Sequence, residues 1–479
     1  MCLLFDFLDM KENDLLDKKN IDQEDKQKSK GMNMLSGSIW NKLILFALPL
    51  AATSILQQLF NAVDTAVAGQ YAGDNALTAV GANSAIISVF VNLFTGLSVG
   101  ANVVIATLIG QKKKKDVPKV VHTSIALALI CGFAIALVGI FIARPVLMKT
   151  GVEEGQVLNL ATIYLQIYFM GMPAILVYNY GAAILRSIGD TKRPMYALVF
   201  SGVVNVFLNL LLVIVFKLSV VGVAVATVIS NIISAGIVVY TLMKNDSEIH
   251  LDLRKISIDK KYLKKVLAIG APAGIQGAVF SLSNVLVQTG INSFGNDAIS
   301  GSSVALTFEC FSFYISSSFS QAAVTFVGQN YGAGQFKRCR KICRIALLEG
   351  FLFTELASLC FILAKYPLTE IFTKNSNIIH YAIIRMIVVM LLEGLTGLYE
   401  VPGATIRGMG YSTVPAFITI FGTVGFRVLW LHTVFKRYHS FKLLLFVYPC
   451  SWIFIFCMMI TAYVIIIRKE GKAHAEIIT

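Results

Sequence analysis

The sequence predicts an all-α polytopic membrane protein: twelve transmembrane helices in two six-helix lobes, related by a pseudo-two-fold along the membrane normal. Composition, the length of the apolar runs and an internal repeat carry this reading. Of 479 residues, 56% are hydrophobic and only 14% charged, whereas soluble domains carry roughly a quarter charged. Runs of about 20 apolar residues, enough to cross a bilayer as a helix, recur along the chain. They lack the alternation of membrane-barrel strands.

Residues 1–38 are polar, mixed in charge and without the order of a signal peptide. They are expected to form a disordered cytoplasmic tail, with Met32 and Met34 as alternative starts. The N-terminal lobe, 39–243, follows, with spans near 40–67, 80–108, 119–143, 157–185, 195–216 and 220–243. The charged stretch 244–264, "KNDSEIHLDLRKISIDKKYLK", is the inter-lobe loop. The C-terminal lobe, 265–467, holds spans near 265–292, 299–327, 342–364, 378–405, 412–433 and 443–467, and 468–479 is a second cytoplasmic tail. Spans 4 and 10 are long enough to tilt or kink, and Pro173 and Pro402 lie in them.

The halves echo each other in order: "KLILFALP" and "KVLAIGAP", "YAGDNA" and "SFGNDA", "LIGQ" and "FVGQ", "RSIGDTKRP" and "RGMGYSTVP". Six spans per unit return the chain to its starting side, so the halves share orientation. Lys and Arg concentrate in the even-numbered loops, which sets those loops and both termini in the cytoplasm. The late odd loop "FKRYHSFK" is the awkward fit. The excess of 41 Lys+Arg over 27 Asp+Glu therefore reads as membrane topology, with no nucleic-acid partner.

No catalytic constellation stands out, so no enzyme activity is expected. The six histidines are scattered, and Cys339 and Cys343, one helical turn apart, are too few ligands for a metal site. No GxxxxGK[ST] motif is present, so ATP does not drive this chain directly. An ion gradient is the remaining energy source. Nor is there the continuous polar path or selectivity loop that a channel needs.

Within the first span, "NAVDTAVAG" places Asp64 in an apolar run with no Lys or Arg beside it. A charge at the bilayer centre costs roughly 2.5–3.5 kcal/mol on insertion scales, so such a group marks a functional site by default. Gln57, Asn61, Asp64 and Ala68 share one helical face, giving the first span a wet side. Burial disfavours a charged carboxylate and hydration favours it, so one that alternates between the two can carry a proton. The second lobe has its own membrane carboxylates: Glu309, Glu349, Glu355, Glu393 and Glu400. Glu309, Glu393 and Glu400 either line a cavity for a cationic substrate or pair with Arg385 and Arg427. Gly96, Gly100, Gly181, Gly274 and Gly277 read as close helix packing before they read as hinges.

"LPLAATSILQQLFNAVDTAVAG", "VVNVFLNLLLVIV", "VGVAVATVISN", "LRSIGDTKRP", "RVLWLHTVFKRYHSF" and "YPCSW" resemble the bacterial MATE (multidrug and toxic compound extrusion) family of the MOP flippase superfamily, over about Met34 to Lys469. The resemblance implies a cation-coupled antiporter in the bacterial plasma membrane, exporting amphipathic, often cationic compounds as a monomer. It implies no cofactor beyond the coupling ion, H+ or Na+. It places ion coupling on Asp64, with Asn205 and Asn209 in span 5 and Thr227 in span 6. Asn209 departs from the family, which often has Asp there. A site with one carboxylate has less charge to hold a metal, which favours protons while leaving Na+ at Asp64 open. The alternative is a flippase of lipid-linked or other amphipathic precursors. That activity would want a cationic groove and usually more spans.

Overall fold

The structure is a computed structural model that describes residues 31–478, with side chains to residue 471. Ten of its helices are long and apolar enough to cross a bilayer. In the N-terminal half these are α1 (Ile39–Tyr71), α2 (Asp74–Gly110), α3 (Val117–Lys149), α5 (Lys192–Val215) and α6 (Ser219–Met243). In the C-terminal half they are α7 (Lys260–Asn292), α8 (Asn296–Gly332), α9 (Phe336–Leu363), α11 (Thr413–Tyr438) and α12 (Phe441–Gly471). Two bent pairs complete the set: α4 (Gln156–Met170 with Met172–Ser187) and α10 (Ser376–Met390 with Leu395–Gly408), each bent by 46°. With each pair as one span there are twelve, six in each half. Their outer sides carry bare apolar groups such as Leu137, Phe141, Val203 and Phe207, each more than 60% exposed. Hydrocarbon, not water, suits that surface.

The two bends have different causes. α4 breaks at Gly171, and Pro173 opens its second part, where a missing N–H leaves nothing unsatisfied. α10 does not bend at Pro402, which lies inside its second part. Its first part ends in a π-helical turn, Met386–Met390, and the chain unwinds before Leu395. The freed N–H of Gly394 donates to Glu355 Oε2 at 2.9 Å. A π turn and an inserted side chain suffice to kink a helix without proline.

The repeat survives in the geometry. α1 and α7 are each 33 residues long, and α2 and α8 are each 37. The turns that follow α1 and α7 use Gly73 at φ 90° and Gly295 at φ 87°. The turns after α4 and α10 use Gly189 at φ 89° and Gly410 at φ 98°. Only glycine adopts such angles at little cost, so the paired motifs encode paired turns.

The halves meet backbone to backbone. A Cβ on Gly100 of α2 would stand 2.2 Å from the Val266 carbonyl oxygen of α7, and one on Gly270 2.3 Å from that of Leu97. Gly96, Gly274 and Gly277 lie in the same seam, so these glycines serve packing. Gly181 likewise lies against Val238 within the N-terminal half. Gly270→Ala is expected to destabilise the protein by about 1–3 kcal/mol, the usual cost of overpacking. A thermal-unfolding midpoint in detergent equal to that of the wild type would refute this.

The ends differ from the sequence expectation. Residues 1–30 of the predicted tail lie outside the described residues, but Gly31–Ser38 pack on the body, and Met34 is fully buried. Asn330 Nδ2 and Arg338 Nε donate to the Met34 carbonyl, which fixes the chain there. At the other end the last helix runs on to Ile478 instead of stopping near 467. Glu470 on it accepts hydrogen bonds from Tyr331 and Tyr411. The 244–264 connector is pinned to the start of α3: the Asp252 N–H donates to His122 and that of Asp259 to Thr123 Oγ1.

Candidate functional site

α1, α5 and α6 converge on Asp64, which is 5% exposed. Asn209 Nδ2 donates to Asp64 Oδ1 and also to Asn205 Oδ1 at 3.2 Å. Asn205 and Asn209 stand one turn apart on α5, so both amides face the same carboxylate. From α6, Thr227 Oγ1 lies 3.0 Å from Asp64 Oδ2 and 3.0 Å from the Val223 carbonyl oxygen. Asp64 and the three residues that the family resemblance sets beside it thus form one cluster. Among the described residues no Lys or Arg pairs with Asp64, so its hydrogen bonds come from neutral groups.

That cluster can handle a proton. Thr227 has one hydroxyl hydrogen for two acceptors. When Asp64 Oδ2 carries a proton, it donates to Thr227, and Thr227 donates to Val223. When Asp64 is ionised, Thr227 turns its hydrogen to the carboxylate. The same atoms thus serve both protonation states. A metal ion would find four side chains bearing oxygen donors, a type that suits hard cations. Asn209, however, turns its NH2 to Asp64, and its buried Oδ1 has no partner.

Tyr164 and Tyr168 on α4 are buried within electrostatic range of Asp64, with ring centroids 6.4 Å apart. The sequence reading passes over them, since two tyrosines one turn apart in an aromatic-rich chain carry no distinguishing signal. Gln57 and Asn61 share Asp64's helical face but are exposed, so they lie on the open part of α1. Their neighbour Gln58 accepts a hydrogen bond from Tyr314 of α8 at 3.2 Å, across the two halves.

The C-terminal carboxylates are not gathered at one site. Glu309 is taken by Arg385, whose Nε and Nη2 donate to Glu309 Oε2 at 3.0 and 2.9 Å in a buried pair. Glu393 is 2% exposed and lies within electrostatic range of that pair, with Oε2 unpartnered. Glu400 is half-buried on the second part of α10, nearer Arg407. Glu349 on α9 is buried with no hydrogen-bond partner on either oxygen. Arg427 donates to Ser283 Oγ at 3.1 Å and Asn284 Oδ1 at 2.7 Å. Its guanidinium lies 4.7 Å from the Tyr448 ring centroid, and that of Arg385 lies 5.5 Å from the same ring. Among the described residues there is no group of three or more His, Cys, Asp or Glu placed to hold a metal ion.

Comparison with known proteins agrees with this architecture. The chain is 28% identical over 390 residues to "Probable multidrug resistance protein NorM" of Thermotoga maritima, covering 80% of this chain and 82% of that protein. It is 25% identical over 398 residues to "Probable multidrug resistance protein YoeA" of Bacillus subtilis, covering 82% and 86%. A solved structure described as the outward-facing conformation of a multidrug resistance MATE family transporter of the MOP superfamily superposes with a TM-score of 0.85. That alignment has 23% identity and covers 94% of this chain and all of that one. The MatE family model matches twice, over residues 49–211 and 272–430, once in each half of the repeat. With both halves matched and the twelve-span fold shared, the chain belongs to the MatE family, whose members are membrane transporters and not enzymes.

Proposed function

We propose that this protein is a secondary antiporter that exports amphipathic, often cationic compounds in exchange for protons, with Asp64 as the coupling carboxylate. The observation that carries the reading is the buried Asp64, bonded by the neutral Asn209 and Thr227 and paired with no cation among the described residues. A carboxylate so placed changes the charge of its surroundings by one unit when a proton arrives or leaves. The half that holds it then has two states of different electrostatic cost, and the proton and the exported compound each favour one of them. A ligand shifts such an equilibrium only through differential affinity. Asn205 and Asn209 hold the carboxylate between α1 and α5, and Thr227 adjusts its hydrogen to either state. The names of the relatives in Thermotoga maritima and Bacillus subtilis support drug export as the substrate class. The protein works as a monomer in a bacterial plasma membrane, with both termini and the basic loops in the cytoplasm and no cofactor.

Sodium is the weaker choice of coupling ion, because the site offers one carboxylate and the Asn209 amide must rotate before its oxygen faces the cluster. The test is transport of a fluorescent lipophilic cation in liposomes that contain the full chain. A pH gradient without Na+ is expected to drive accumulation. Each pH unit is worth about 1.36 kcal/mol per proton, a tenfold concentration ratio for one-to-one electroneutral exchange. Accumulation that needs a Na+ gradient instead would reassign the ion. No movement under either gradient would overturn the substrate class and favour the flippase alternative.

A further inference from the structure

Seven residues ahead of α1 bridge the two halves on the face that carries the basic loops. On one side, Gly31 and Met32 lie against the turn between α4 and α5. A Cβ on Gly31 would stand 2.3 Å from the Ile188 carbonyl oxygen, and one on Gly189 would stand 2.6 Å from Met32 Cβ. On the other side, the chain is held by the C-terminal half. The Met34 carbonyl accepts from Asn330 Nδ2 at 3.1 Å and from Arg338 Nε at 3.4 Å. Arg338 Nη2 donates to the carbonyls of Ser36 at 3.0 Å and Gly37 at 2.9 Å. The Met34 side chain is fully buried in the apolar cluster that includes Phe326, Val327 and Ile342.

This bridge lies over a closed seam. Directly between the halves, Gln329 Nε2 donates to the Ser187 carbonyl at 2.7 Å, and Arg186 Nη1 to Gln321 Oε1 at 3.1 Å. Asn102 Nδ2 donates to Thr325 Oγ1 at 2.9 Å. The anchors at Met32 and Met34 are two residues apart, and an extended chain reaches only about 3.3–3.6 Å per residue. The segment therefore cannot keep both attachments once the halves part here by more than several ångströms.

We propose that Gly31–Gly37 is a strap that holds this mouth shut, and that Asn330 and Arg338 set how readily it opens. The proposal rests on the two-state antiport reading given above. The grip is uneven. On the C-terminal side a planar, permanently charged fork holds three carbonyls, while on the N-terminal side Gly31 and Met32 pack against the Ile188–Gly189 turn and Lys42 of α1 donates to the carbonyls of Asn33 and Ser36 at 2.7 and 3.0 Å. Opening has to break one of the two grips, so loosening either one lets the halves part.

The test reads opening without any substrate or coupling ion. In the full chain with native cysteines replaced by serine, Thr325→Cys places a thiol in the seam, where Thr325 is fully buried. A membrane-impermeant maleimide is applied from the basic-loop face of oriented vesicles. Adding Arg338→Ala is expected to raise the labelling rate by about tenfold, the scale set by losing a charge-assisted hydrogen bond. Arg338→Lys, which keeps charge but not the fork, is expected to fall between. Gly31→Leu attacks the other anchor and is expected to act in the same direction. Unchanged labelling in a folded Gly31→Leu protein would overturn the proposal, even if Arg338→Ala fails to fold. Failure of the pH-gradient transport assay with labelling behaving as expected would instead refute the antiport reading and leave the strap standing.

Discussion

Asp64→Asn is expected to abolish proton-driven accumulation of the exported compound while leaving a folded, monodisperse protein. The substitution keeps the size and shape of the side chain and removes only the site that takes up a proton. An amide does not titrate near pH 7. Thr227 can still donate to the oxygen of the new amide. The Asn209 NH2 would then face an NH2 in one rotamer, but a half-turn of its own amide brings its buried, unpartnered Oδ1 into position. The exchange of one neutral hydrogen bond for another is worth about 1 kcal/mol or less. Stability and function thus separate. Under a one-unit pH gradient, wild-type vesicles should approach a tenfold accumulation ratio. The variant should equilibrate at a ratio near one. Wild-type accumulation by the variant would remove Asp64 from the coupling machinery.

The way Asp64 was legible in the sequence explains why other parts were not. A lone carboxylate in an apolar run is conspicuous because it is costly. Its partners Asn205, Asn209 and Thr227 came from a family resemblance, and the fold brings them to it. The paired glycine motifs were legible as a repeat because turns of positive φ leave few choices of residue. Residues that act through tertiary placement leave no such mark. Tyr164 and Tyr168 read as ordinary span residues. Glu309 and Arg385 are 76 residues apart and meet only through the packing of α8 on α10. The bend of α10 comes from a π turn and a side chain inserted from α9, and Pro402 pointed to the wrong place. Gly31–Ser38 looked like tail because composition averages over a stretch, while three carbonyls and one methionine tie it down.

Arg385→Met alone is expected to destabilise the protein by about 3–5 kcal/mol, the cost of leaving a buried charge without its partner. Glu309 would then be a carboxylate in the C-terminal interior with Glu393 within electrostatic range and no cation bonded to it. Glu309→Gln combined with Arg385→Met removes both charges and should recover most of that loss. The double variant should still fall short of the wild type. Arg385 also lies over the Tyr448 ring, and a contact of that kind contributes about 0.5–2 kcal/mol. The order of thermal-unfolding midpoints in detergent is therefore fixed: wild type highest, double variant next, Arg385→Met lowest. An Arg385→Met protein as stable as the double variant would mean that the pair is not a buried ionic contact. The ranking also bears on transport. If Glu309 is committed to Arg385, it is not free to meet a cationic compound. Glu309→Gln with Arg385→Met should then leave the export ratio of a lipophilic cation unchanged wherever the protein folds.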